Sequence, residues 1–481
     1  MTTKADDRPV ILWFRQDLRL ADNPALARAA ATGRPVVPVF ILDEDTPGLR
    51  PPGGASRWWL HHSLAALTDD LAALGSRLIL RRGAAGAVLA ALIAETGADG
   101  VLWNRCYDKG STARDTEIKA ALRARGIGAE SFNGALLAEP WEITTKAGGG
   151  YKVYTRFWQA CRAAGDPPPP MAAPDSLAAP QVWPASDGLA AWGLAPKSPD
   201  WAAGFFDHWA PGAQGAEDRL GRFLNGTVAG YAAKRDFPGV AATSGLSAHL
   251  AWGDIGPRQV WAAAMKAAPV GQGRETFLKE LVWREFAHHV LYHFPDLAER
   301  PMDAKFETFP WMPDDTLLAA WRRGQTGYPI VDAGMRELWA TGTMHNRVRM
   351  VAASFLVKHL LQPWQAGEAW FWDTLVDADP ASNPFNWQWV AGCGADAAPY
   401  FRIFNPILQG EKFDGAGDYV RRWVPEIAAL PKKYIHAPWT APMDVLADAG
   451  VALGRDYPAP VVDHKGARDR ALAAFKSLKR S

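Results

Sequence analysis

Through the first third of the chain, short unbroken apolar runs alternate with stretches whose apolar positions recur every three to four residues. Val10–Phe14, Val36–Leu42, Leu78–Leu80 and Val101–Trp103 read as strands, and Ser56–Leu74, Ala87–Thr96 and Ala113–Arg125 between them read as helices. Runs that are apolar from end to end suit strands covered on both faces. Strand–helix–strand alternation therefore predicts an α/β domain built on a doubly wound parallel sheet. From Asp166 to Pro199 the pattern stops: DPPPPMAAP, WPASDG and APKSPDW are rich in residues that cannot continue a helix. Beyond it the helical period returns and persists. Gly215–Leu224, Pro257–Lys266, Glu275–Tyr292, Asp314–Arg323, Ile330–Ala340, His345–Leu361 and Gly367–Leu375 read as helices, and the chain closes on a basic helix, Gly466–Lys479. The expected organisation is an α/β domain over 1–135, a connector over 136–204 and a mainly α-helical domain over 205–481. No internal repeat is visible.

Composition narrows the chemistry. At 481 residues the chain has ample apolar material for two or three domains. Lys and Arg total 52 against 51 Asp and Glu, so any nucleic-acid contact must come from local clustering and not from overall charge. Three cysteines, Cys106, Cys161 and Cys393, stand far apart, which excludes a zinc or iron–sulfur pattern and a disulfide framework; no metal site is expected. No apolar run approaches the ~20 residues that cross a bilayer, and MTTKADDRPV lacks an apolar stretch behind a basic start, so a soluble, cytoplasmic protein is expected. Glycine-rich dinucleotide fingerprints and P-loops are absent. The 23 tryptophans are the outlying number, implying large aromatic cores or stacking sites.

Three stretches carry a family resemblance: WFRQDLRLADNPAL at 13–26, LKELVWREFAHHVL at 278–291, and the run from TGYPIVDAGMREL at 326 through MHNRVRMVAASFLVK to NWQWVAGCGADAAPYFRIFNP. Together they resemble a microbial enzyme of the DNA photolyase/cryptochrome family along nearly the whole chain. The resemblance implies an α/β antenna domain and a helical FAD-binding domain. Its implied activity is light-dependent DNA repair: cyclobutane pyrimidine dimers are split by electron transfer from photoexcited FADH⁻, a carbon–carbon lyase reaction without net redox change. It further implies UV-damaged DNA as partner, a monomer with no obligate protein partner and no membrane, and nucleoid association on DNA. A cryptochrome photoreceptor without repair activity and a (6-4) photolyase share the fold, so function must be argued from site residues.

In RDFPGVAATSGLSAHLAWGDI, the hydroxyls of Thr243, Ser244 and Ser247 suit helix caps; free N–H groups at a helix start also attract a pyrophosphate. By resemblance Tyr231, Thr243, Ser244, Leu246 and Ser247 are FAD phosphate and ribitol contacts. Asn346, Arg349 and Met350 fall at i, i+3 and i+4 on one helical face. Arg349 alone reads as a surface ion pair, but Asp377 and Asp379 offer carboxylates to a buried arginine. The family pattern sets Arg349 with Asp377 beside the isoalloxazine, Asp379 at its pyrimidine edge and Asn383 at flavin N5. Asn383 also reads as a turn residue before proline. At this position plant-type cryptochromes resemble an aspartate, so the asparagine favours repair.

Trp387, Trp364 and Trp311 match the family's electron relay, although each alone reads as core packing. Trp283, also a flavin-side residue by resemblance, and Trp389 match walls that stack a flipped lesion. Glu280, three residues before Trp283, is placed to bond the pyrimidine edge or to form a salt bridge with Arg284, worth only ~0.2–0.5 kcal/mol. Arg235, Arg284, Arg347 and Arg402 match a basic rim that grips phosphates, with Met350 facing the lesion. Histidines occupy the positions of Asn346 and Met350 in relatives that repair (6-4) lesions; an amide and a thioether cannot act as general acids, which favours cyclobutane dimers. For the antenna site the resemblance leaves three states: methenyltetrahydrofolate, a deazaflavin or no chromophore. Gly110 and Ser111 stand where folate-binding relatives carry Asn and Glu, and Arg156 replaces the proline of YTPFW.

Overall fold

The computed structural model describes residues 8–267, 269–397 and 401–478. Five parallel strands, β1 (Val10–Phe14), β2 (Val36–Leu42), β3 (Ile79–Arg82), β4 (Gly100–Asn104) and β5 (Gly128–Phe132), form one sheet in the order β3-β2-β1-β4-β5. The chain winds outward from β1 to β3 and then crosses to β4 on the other side. With right-handed crossovers this places α1 (Pro24–Ala31), α2 (Gly54–Ala73), α3 (Ala85–Thr96) and α4 (Lys109–Ala124) on both faces, the expected doubly wound sheet.

Two of these elements lie outside the sequence expectation. The α1 helix is mostly alanine and carries little apolar signal; it starts because Asn23 accepts from Leu26 N–H at 3.1 Å and Pro24 supplies a ready-made helical φ. The edge strand β5, GAESF, has only one buried residue and so no apolar run to announce it. The expected connector over 136–204 holds a helix at Tyr154–Ala164, while its proline-rich part, Asp166–Pro199, has no regular element beyond the 3₁₀ turn Leu189–Trp192, yet is tied to the sheet. Val36 N–H donates to Ala178 O at 2.8 Å, and Leu80 N–H donates to Ser186 Oγ at 2.9 Å.

The chain divides into two compact units, Met1–Ala229 with Ser244–Pro295, and Gly230–Thr243 with Asp296–Ser481. Composition placed the start of the helical domain at 205; packing follows another division. Helix α6 (Ala213–Gly226) lies against α2, and the helix Gln272–His293 lies against α5 (Tyr154–Ala164), so the first helices after the connector join the α/β layers.

The second unit is built from Asp315–Arg322, Pro329–Thr341, Asn346–Ser354, Trp364–Thr374, Ser382–Ala391, Pro406–Phe413, Asp418–Trp423 and His464–Ser477, around a core that includes Trp321, Phe355, Trp364 and Trp387. The helix expected over His345–Leu361 ends its α turns at Ser354, passes through a π turn at Phe355–His359 and stops at Leu361, whose φ is +50°. The segment after Asp377, where Asn383 reads from sequence as a turn residue before proline, contains the helix Ser382–Ala391. Pro384 falls in the first turn, where its missing N–H has no intrahelical partner to lose. Of the closing basic helix, Lys479 lies outside the described residues.

Gly110, where folate-binding relatives carry Asn, is explained by the backbone: a Cβ there would lie 2.2 Å from Gly48 O. No side chain fits under that loop. Gly110→Ala should therefore destabilise the α/β layers by about 1–3 kcal/mol through forced backbone movement, read as a lower urea midpoint at unchanged slope.

Candidate functional site

In the C-terminal unit the expected residues gather on two helices and the segment between them. His345 caps Asn346–Ser354, its Nδ1 accepting from Arg347 N–H at 3.2 Å. From that start Asn346 is exposed, while Arg349 and Met350 on the same face are half-buried. Arg349 donates from Nη2 to Asp377 Oδ2 at 2.9 Å and to Thr343 Oγ1 at 3.2 Å, and from Nε to Met344 O at 2.7 Å. The pair expected from sequence forms. Among the described residues nothing bonds the second, buried oxygen of Asp377, an acceptor open to a donor.

Asp379 accepts at Oδ1 from Ala381 N–H at 3.0 Å and Ser382 N–H at 2.6 Å, so it also starts the helix Ser382–Ala391. The next residue of interest, Asn383, is buried. Its Nδ2 donates to Glu368 O at 3.1 Å and Glu368 Oε1 at 2.8 Å. Both partners are acceptors, so the amide nitrogen must face them and Oδ1 is presented on the other side. Glu368 was not singled out from sequence; its signal is a buried carboxylate inside the apolar helix WQAGEAWFWDT.

Trp387 and Trp364 are buried and Trp311 is half-buried, all in one apolar cluster. Trp387 meets Phe371 edge-on at 5.0 Å between centroids and Trp321 at 6.2 Å. Gly367 makes the room, since a Cβ there would stand 2.1 Å from the Trp387 ring. Trp389, half-buried, donates from Nε1 to Asp396 O at 3.1 Å, and the guanidinium of exposed Arg402 lies 6.0 Å from its ring. Arg347 pairs with Asp236 at 2.8 Å and stacks on Phe413 at 4.3 Å; Arg235 lies 5.4 Å from the ring of buried Tyr231. Thr243, exposed, ends the short segment that belongs to this unit.

In the N-terminal unit Ser244 is half-buried, Leu246 buried and Ser247 exposed. The helix they lead into, Ser247–Trp252, has six residues and no side-chain cap, so the hydroxyls and backbone N–H groups, more than a macrodipole, would hold an anion. On the helix Gln272–His293, Glu280 and Trp283 are half-buried. Trp283 stacks flat on Tyr154, centroids 3.6 Å apart and planes 6° apart, while Tyr154 Oη donates to Lys279 O at 2.7 Å. Sequence reasoning passed over Tyr154, although Tyr154 and Phe157 of YTRFW share the apolar spacing of a helix. Arg156 is exposed on that helix, and nothing in the structure explains its presence. Arg284 departs from the expected rim. Its guanidinium is turned inward, donating to Ala135 O at 2.8 Å, Glu285 Oε1 at 3.2 Å and Leu250 O at 3.5 Å. A guanidinium already bonded to three protein acceptors is a structural brace and not a phosphate grip.

Among the described residues no group of His, Cys, Asp and Glu could hold a metal ion, and no helix is long and apolar enough to cross a membrane.

The fold is an α/β layer structure followed by a helical flavin-binding domain: a model of the FAD binding domain of DNA photolyase matches residues 277–477, and a DNA photolyase model matches residues 10–175. A deoxyribodipyrimidine photo-lyase of Agrobacterium fabrum is 56% identical over 98% of both chains. A bacterial class III photolyase from Agrobacterium tumefaciens, known in crystal form, superposes with a TM-score of 0.96 over all of both chains at 55% identity. Cryptochrome-1 of Arabidopsis thaliana is 40% identical over 97% of this chain and 70% of its own length. The chain belongs to the DNA photolyase family.

Burial holds the imidazole of His345 down to about 4, so it is neutral near pH 7 and its Nδ1 is committed as the cap acceptor. In the unfolded chain the same group takes up a proton near its ordinary value of ~6.5. Stability is therefore lost as pH falls from about 6.5 towards 4. His345→Asn, which caps without titrating, should show a smaller fall in urea midpoint between pH 7 and pH 5 than the parent; the remaining fall comes from other depressed histidines such as His289.

Proposed function

We propose that this chain is a light-driven DNA repair lyase that splits cyclobutane pyrimidine dimers in UV-damaged DNA, with FAD held chiefly by Arg349, Asp377, Asp379 and Asn383. The observation that carries the reading is the face Asn346–Arg349–Met350. Two residues there can hold a lesion but cannot protonate it, and the neighbouring His345 is neutral and bound to its own helix. A dimer opened by electron transfer alone suits such a face.

The residues fit a flavin. Asp377 keeps a buried oxygen unbonded among the described residues, Asn383 presents an amide oxygen oriented by Glu368, and both lie in segments anchored by their own hydrogen bonds. Bound FAD supplies light absorption and the transfer of one electron to the lesion and back. The protein's part is to place and tune it. Asn383 accepts a hydrogen bond at flavin N5, Asp377 lies beside the isoalloxazine, held there by Arg349, and Asp379 lies at its pyrimidine edge. Tyr231, Thr243, Ser244, Leu246 and Ser247 take the ribitol and phosphates. Trp311, Trp364 and Trp387, ordered from half-buried to buried, pass an electron inward from solvent to oxidised flavin. Glu280 bonds the pyrimidine edge, Trp283 and Trp389 stack the extruded bases, and Arg235, Arg347 and Arg402 grip flanking phosphates. Gly110 and Ser111, in place of the Asn and Glu of folate-binding relatives, count against a folate antenna and leave a deazaflavin or an empty site. The protein acts as a monomer, in the cytoplasm and on DNA, without an obligate protein partner.

Reduced protein illuminated with an oligonucleotide carrying one defined thymine dimer should restore the two thymines, while a (6-4) oligonucleotide stays unchanged; product chromatography reads both. An intact dimer after prolonged illumination of flavin-loaded protein would favour a photoreceptor without repair activity. Trp387→Phe should abolish blue-light reduction of oxidised FAD and leave dimer splitting by chemically prereduced protein near the parental rate, followed by flavin absorbance and the same chromatography.

A further inference from the structure

The motif WFRQDLRLADN at 13–23 has no place in the proposed chemistry, and its residues are bound to one another and to a distant segment. Arg19 is 1% exposed, and its guanidinium donates to four carbonyls: Ala21 O at 3.0 Å, Asp22 O at 2.7 Å, Gly134 O at 2.6 Å and Gly253 O at 3.0 Å. Gly253 follows the helix Ser247–Trp252 with a φ of +72°. Beside it, Leu18 N–H donates to Trp252 O at 3.3 Å. The two backbones are in contact, since a Cβ on Gly253 would lie 2.2 Å from Gln16 O and one on Gly256 would lie 2.5 Å from Asp22 Oδ2 and 2.9 Å from Arg19 Nη2. Arg284 grips the same helix at Leu250 O, and Arg258 and Arg284 reach Asn133 O and Ala135 O on either side of the carbonyl that Arg19 takes.

A helix of six residues is too short to hold itself together, because nucleation costs more than a single turn returns. Ser247–Trp252 lacks a side-chain cap at its start, so its position is set by its far end and by His249, which bonds Asp254 at 2.9 Å. We infer that Arg19, with Arg284, is a positioning residue for the flavin-phosphate segment Ser244–Ser247, acting through the carbonyl end of the helix Ser247–Trp252. This rests on the reading that Ser244, Leu246 and Ser247 contact the FAD phosphates. Lysine cannot replace Arg19: a single ammonium does not span four carbonyls set around a planar fork.

The test uses the full-length flavin-loaded protein and its flavin-stripped form. Arg19→Lys is expected to raise the dissociation constants of FAD and of ADP at least tenfold and to leave riboflavin affinity and the circular dichroism spectrum as in the parent. A purely structural role would lower the unfolding temperature and reduce all three affinities alike, which would overturn the inference. So would parental ADP affinity in Arg19→Lys when Ser247→Ala weakens it. Parental ADP affinity in both Ser244→Ala and Ser247→Ala would instead sink the phosphate reading on which the inference rests, and the inference with it. Should Arg19→Lys fail to fold, Arg284→Lys, which loosens the grip on Leu250 and Ala135 and the bond to Glu285 but leaves Arg19 in place, should weaken ADP about threefold; parental affinity there would also overturn it.

Discussion

The buried amide of Gln388 fixes the helix on which the C-terminal site depends. It is fully buried, and both of its ends are used: Nε2 donates to Leu297 O at 2.6 Å and Arg300 O at 2.8 Å, while Oε1 accepts from Met302 N–H at 2.9 Å. A buried amide with all its bonds made costs little, whereas one left half-satisfied costs several kcal/mol-scale terms at once, so the segment 297–302 and the helix Ser382–Ala391 are held in a single register. Asp379 fixes one end of that helix. At the other, Nζ of buried Lys358 donates to Ala391 O at 2.6 Å. Asn383, Trp387 and Trp389 therefore project from a helix restrained at its start, middle and end.

The same economy governs the N-terminal unit, with arginines in place of the amide. Arg19, Arg258 and Arg284 satisfy three consecutive carbonyls, Asn133 to Ala135, that would otherwise be left unpaired by the sharp exit from β5. Burial above all, with the nearby charges of Arg258 and Arg284, pulls Arg19 below its ordinary value, opposed by Asp22 and Asp17. Charge is retained there because a planar fork meets several carbonyls at once, a geometry that neutral side chains do not offer. The price is that these arginines are unavailable for DNA, as Arg284 illustrates.

A light-driven lyase asks little bond-making of its protein and much placement. The side chains around the proposed flavin and lesion are accordingly of two kinds. Asn383 and Asp377 offer hydrogen bonds in orientations set by Glu368 and Arg349; Trp283 and Trp387 offer π faces set by packing against Tyr154 and Phe371, and Trp389 one set by its bond to Asp396 O. Placement of the second kind is decided by what leaves room, which is why a glycine at 367 matters to a tryptophan twenty residues later.

Sequence by itself determined what repeats or concentrates: the strands β1 and β2 to the residue, the parallel α/β layers, the helical second half, and the face carrying Asn346, Arg349 and Met350. Those depend on local periodicity, which side-chain burial enforces residue by residue. It offered Asp377 and Asp379 as carboxylates for Arg349, and the family resemblance pointed to Asp377, the pair that forms. Tertiary structure decided β5, which has no apolar signal, and the helix Ser382–Ala391, whose proline reads as a break until its place in the first turn is known; α1, also without an apolar run, rests on its local Asn23–Pro24 start. It alone turned Arg284 inward, set Glu368 behind Asn383 and Tyr154 under Trp283, and gave Gly110 its reason. Each of these is a contact between residues distant in sequence, where the deciding term is the shape and hydrogen-bonding capacity of a partner that local pattern cannot name.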